Sequence, residues 1–80
     1  MTISTTPADL AAQVRAMIST GQARELRIRA GYALTDAARA CGGVHASAVM
    51  RWERGRLPQG RNLRAYARFL NKLAERESTS

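Results

Sequence analysis

The sequence predicts an all-α fold, a bundle of about five helices, and three observations point to it. Apolar residues make up 45% of the chain and 15 of them are Ala, the strongest helix former and a poor strand former. The apolar positions recur at three- and four-residue steps, and no stretch alternates long enough for a strand. Gly and Pro fall between these stretches, where they end or begin helices.

Residues 1–6 are small and polar and read as a disordered tail. The first helix opens on "TPADLAAQVRAMI". Thr6 suits the N-cap, Pro7 the first helical position, and Asp9 the positive end of the helix dipole. Leu10, Val14, Met17 and Ile18 lie on one stripe of this helix. Ser19–Gly21 offers a break and a fresh cap. "QARELRIRAG" forms the second helix, with Ala23, Leu26 and Ala30 inward and Gly31 as terminator. A short third helix spans Leu34–Cys41, and Gly42 and Gly43 form a turn needing permissive backbone. "HASAVMRWERG" is the fourth helix and "RLPQG" a loop. "RNLRAYARFLNKLAER" is the fifth, with Leu63, Tyr66, Ala67, Leu70, Leu73 and Ala74 on one side. Residues 7–76 therefore read as a single domain that includes an extra N-terminal helix, and residues 77–80 as a second disordered tail.

Charge is the first functional clue. The 80 residues carry 13 Lys and Arg against 6 Asp and Glu, for a net charge of +7. Twelve of the 13 bases are Arg, the side chain that forks onto phosphate and guanine. A GC-rich genome also favours Arg over Lys, but it does not explain the excess of positive charge. One Cys and one His exclude an intrachain disulfide and a zinc cluster. No metal, cofactor or small-molecule ligand is suggested. There is no membrane-length apolar run and no secretory signal, so the chain reads as cytoplasmic. Without paired carboxylates in a cleft or a phosphate-binding loop, an enzyme is not expected.

On the fourth helix, at about 100° per residue, Val49 and Trp52 share one face with Glu53 at its edge. Ser47, Met50, Arg51 and Arg54 share the opposite face, which has no acid. A short helix, a Gly turn and a second helix is the arrangement that lays its second helix in a DNA major groove. Ala37 and Ala38 are small where two such helices must cross.

"ARELRIRAG", "LTDAARACGGVHASAVMRWERG" and "PQGRNLRAYARFL" together resemble the lambda-repressor-like helix-turn-helix family, the Cro or xenobiotic-response-element type. The resemblance spans about residues 20–71, with the motif at about 34–54. Its most specific features are "RWERG" (Arg51–Gly55), Arg27 with Ala30 and Gly31, and the small Ala38 followed by a glycine. "STGQARELRIRAG" and "RAYARFLNKLAER" further resemble versions common in actinobacteria and their phages. The resemblance implies a salt bridge between Arg27 and Glu53 that clamps the recognition helix and leaves Arg27 a donor for a DNA phosphate. Three positions depart from the family pattern. The turn Cys41–Val44 is one residue longer, His45 stands where a capping Ser is favoured, and Leu34 replaces a polar residue. Cys41 falls at an apolar family position and reads as a small buried hydrophobe.

The implied roles follow. Ser47, Met50 and Arg51 are candidates for base contacts, with Arg51 forking onto a guanine and Met50 touching a thymine methyl; a phosphate contact for Arg51 is equally open. Thr35, His45, Arg54, Arg56 and Arg61 suit phosphate contacts, and Val49 and Trp52 anchor the core. The function expected is a sequence-specific transcriptional regulator of double-stranded DNA, a small phage or bacterial repressor. A homodimer through the N- or C-terminal helix would match paired half-sites. Two alternatives stay open. "RWERGRLP" also resembles excisionase and MerR-type winged helices, where such a segment enters a β-hairpin. An antitoxin-like protein-interaction module would use Phe69 and Leu73 as partner surface.

Overall fold

The computed structural model describes residues 7–79 and contains five helices: α1 Pro7–Ser19, α2 Gln22–Arg29, α3 Leu34–Ala40, α4 Ala46–Glu53 and α5 Arg61–Thr79. The expected tail at residues 1–6, and Thr6 as cap, lie outside the described residues. No strand occurs among the described residues. The segment Arg56–Gly60 runs straight into α5, which removes the winged-helix alternative: Leu63, Tyr66, Leu70 and Leu73 bury one helical face, a pattern that no hairpin could satisfy.

The core gathers one stripe from each helix. Val14 of α1, Leu26 of α2, Ala37 and Ala38 of α3, Val49 and Trp52 of α4, and Tyr66, Leu70 and Leu73 of α5 are all buried. α3 packs most extensively on α4, α1 packs on α2 and α5, and α5 also contacts α2 and α3. The two buried alanines suit the extensive α3–α4 packing, because a methyl side chain allows two helices to approach closely.

Helix ends follow a shared pattern. In α3 the amide of Gly42 donates to Arg39 O (3.3 Å) and that of Gly43 to Ala38 O (3.1 Å). This is the Schellman arrangement, which needs a left-handed residue after the cap. Gly42 and Gly43 sit at φ 93° and 83°, where a side chain would be strained although open space surrounds both. Val44 also donates to Ala38 O, at 3.2 Å, so the extra turn residue is absorbed by a second glycine. Gly42→Ala is expected to lower stability by roughly 1–2 kcal/mol, read as a shift in the denaturation midpoint.

Three expectations are corrected here. Ala30, expected inward, is exposed, because α2 ends at Arg29 and Ala30 is its C-cap. Phe69 and Leu73 are buried at 6% and 2% exposure, so they offer no partner surface. Phe69 meets the Tyr32 ring edge-on at 5.2 Å. Residues 77–79, expected as tail, continue α5, where Glu77 accepts from Arg29 Nη1 at 3.1 Å.

Candidate nucleic-acid interface

α4 is pinned by its inner face and by its far end. Val49 is fully buried and Trp52 is 6% exposed, its ring 4.9 Å from that of Tyr66 at a tilt of 50°. Beyond them, Arg27 of α2 reaches Glu53. Its Nε donates to Glu53 Oε2 at 2.5 Å and its Nη2 to Oε1 at 3.2 Å, a two-pronged contact. Arg27 Nη1 donates to Tyr32 O at 2.7 Å. The side chains are only 11% and 6% exposed. The guanidinium thus donates to its own protein through all three nitrogens.

Burial raises the Tyr66 phenol well above its ordinary range, and the Glu53 carboxylate adds to the effect. Tyr66 is 1% exposed, and its hydroxyl has no hydrogen-bond partner among the described residues. Tyr66 therefore enters the site as a packing ring under Trp52. Cys41 is 1% exposed, and burial pushes its thiol up to about 11, so little of it is the reactive thiolate near neutral pH.

The opposite face of α4 is open. Ser47, Arg51 and Arg54 are exposed and Met50 is half-buried. The three exposed residues follow i, i+4 and i+7 spacing, one stripe of a helix. Arg51 Nε leans back toward Ser47 O at 3.4 Å, which keeps the guanidinium over the helix. His45 occupies the N-cap position with extended backbone, but its imidazole makes no capping hydrogen bond. Its side chain is exposed, so the imidazole is presented to solvent. Thr35 on α3, Arg56 in the loop and Arg61 at the start of α5 are exposed as well. Arg56 is set beside α4 by its amide, which donates to Arg51 O at 3.0 Å.

Beside α4, the sequence reading missed Arg15. Arg15 of α1 lines a cleft of about 260 Å³ with Arg54, Gly55 and Leu57. The wall supplied by Glu53 is neutralised by its pair with Arg27. The four-residue spacing of α1 marks Arg15 only as solvent-facing; its position beside α4 arises from how α1 packs.

The family model for helix-turn-helix proteins matches residues 24–76. The chain belongs to the lambda-repressor-like helix-turn-helix family. The helix-turn-helix is formed by α3 and α4, and α1 lies outside the matched segment. Membership makes this a DNA-binding domain of the regulator kind, with double-stranded DNA as the family's ligand. No curated protein and no solved structure matches the chain to a significant degree. Among the described residues no helix is long and apolar enough to cross a membrane.

Proposed function

We propose that the protein is a sequence-specific transcriptional regulator of double-stranded DNA, a small repressor of the Cro-like type. It would act in the cytoplasm, on the nucleoid of a bacterium or of a phage-infected bacterium. The observation that supports this reading is the ridge of Ser47, Arg51 and Arg54, exposed on α4 directly opposite the buried Val49 and Trp52. A recognition helix must enter a groove as a rigid body, so its inner face has to be locked while its outer face stays unpaired.

In this reading Arg51 forks onto the O6 and N7 of a guanine, Ser47 touches a neighbouring base edge, and Met50 meets a thymine methyl. Its half-buried position gives Met50 less reach than Arg51. Thr35, His45, Arg54, Arg56 and Arg61 hold the phosphates on either side and set the register, and Arg15 joins them across its cleft with Arg54. Base contacts carry the sequence information, whereas phosphate contacts position the helix. A homodimer would place two such helices on paired half-sites. Of the two terminal helices, α1 exposes Ala12 and Ala16, while α5 exposes a row of like charges that opposes self-association.

With roughly four to six phosphates neutralised per monomer, log affinity should fall against log salt with a slope of about −4 to −5. Arg51→Ala should relax sequence preference at one base pair by about 1–3 kcal/mol. Arg56→Ala should weaken all duplexes alike and make the slope shallower by about 1. The deciding experiment is selection of bound duplexes from a random pool. A palindromic consensus would deliver operator and dimer together. A pool that stays random, or a salt slope near zero, would remove sequence-specific DNA binding.

A further inference from the structure

The outer face of α5 is a second cationic surface, built apart from the recognition helix. Arg64, Arg68, Lys72 and Arg76 follow one another at four-residue steps, and all four are exposed. At 1.5 Å per residue the steps are about 6 Å, and the row runs about 18 Å along the helix. Arg68, Lys72 and Arg76 also rim a cleft of about 310 Å³ between α5 and the end of α3, floored by Tyr32 and Phe69 and closed by Gly42. No acidic residue lines this cleft.

The nearby acids, Asp36 on α3 and Glu75 and Glu77 on α5 itself, all have partners. The Asp36 carboxylate accepts from the Ala33 amide at 3.0 Å, Glu77 accepts from Arg29, and Glu75 accepts from Asn71 at 3.4 Å. Arg64, Arg68 and Lys72 have no ion-pair partner among the described residues. The contacts proposed above for the first duplex use α3, α4, the loop that follows, Arg61 at the start of α5 and Arg15 of α1, and none of them uses this row.

We infer that the α5 row is a second phosphate-backbone site, which holds a further duplex segment while α4 occupies the first. It rests on the DNA-binding reading above only in supplying the first duplex. A regular row of cations suits a linear polyanion. An acidic protein helix would also need an apolar face to bury, and the floor offers little: Phe69 is 6% exposed and its ring is already engaged by Tyr32. A second copy of the chain would bring the same positive row against it.

The test uses the full chain and two short mixed-sequence duplexes, one with a donor and one with an acceptor fluorophore. The wild-type protein is expected to bring the two together at low salt, giving energy transfer that disappears as salt rises. Arg64→Gln/Arg68→Gln/Lys72→Gln should cut that transfer at least tenfold while a single duplex still binds. The slope of log bridging against log salt should become shallower by about 2–3. The charge-retaining variant Arg64→Lys/Arg68→Lys/Lys72→Arg should bridge like wild type, which separates charge from folding. Arg51→Ala/Arg54→Ala tests the α4 site separately. If it leaves single-duplex binding intact and the α5 variant abolishes it, the α4 reading fails and the α5 site stands. No transfer with wild type, equal transfer with the Gln variant, or tighter binding of a poly-glutamate peptide than of duplex to α5 would overturn the proposal.

Discussion

Glu53→Ala is expected to destabilise the fold by about 3 kcal/mol, the lower end of the range for removing one partner of a buried ion pair. The substitution leaves the Arg27 Nε and Nη2, which now donate to Glu53, unpaired in a site where the side chain is 11% exposed. For a domain of this size each kcal/mol moves the midpoint by about 4–8 °C, so the thermal transition should fall by roughly 12–24 °C. The double variant Arg27→Met/Glu53→Leu distinguishes the cause. Without any buried charge it should be more stable than Glu53→Ala, because two packed apolar side chains replace the pair at little cost. Its DNA binding should nevertheless lose discrimination between selected and random duplexes, since the C-terminal end of α4 is no longer tied to α2. A double variant as unstable as the single, or one with unchanged discrimination, would show that the pair does not clamp α4.

Trp52→Ala should cost about 3–5 kcal/mol, as for other large aromatics removed from a core. The indole fills the space between α4 and α5 against Tyr66 at 4.9 Å, and neither backbone can close the resulting gap without breaking the α3–α4 crossing. Total stability for a chain of this length is on the order of 4–12 kcal/mol, so the variant should be partly unfolded at physiological temperature. Circular dichroism during urea denaturation measures this, because the substitution removes the only Trp and with it the simplest fluorescence probe. Trp52→Phe keeps a ring against Tyr66 and should recover much of the loss. If Trp52→Ala folded as stably as wild type yet failed to bind DNA, the indole would belong to the DNA-facing side and the assignment of faces on α4 would be reversed.

The order and ends of the helices were readable because their causes are local. An apolar step of three or four residues, a glycine after the last turn and Pro7 at the first are properties of adjacent residues. The separation of Trp52 from Arg51 and Arg54 across α4 follows from the same 100° rotation. The errors arose where local preference met a tertiary neighbour. Ala30 continues the apolar spacing of α2, but the chain turns away at Gly31 before that position can face the core. Phe69 lies off the main stripe of α5 and looks free until Tyr32 covers it. The last turn of α5 is polar, as a tail would be, but Glu77 finds Arg29 on α2.

By itself the sequence determined the helical elements, the two faces of α4 and the basic character of the outer one, because each depends on residues a few positions apart. The Arg27–Glu53 contact spans 26 positions and was anticipated through family resemblance; its depth, and the Tyr32 carbonyl that completes it, came from packing. Only the tertiary structure placed Arg15 beside Arg54, set Phe69 beneath Tyr32, and raised the α5 row over a cleft at the end of α3. These are relations between helices distant in sequence. Their geometry is fixed by how side chains interlock in the shared core, which no single stretch of sequence encodes.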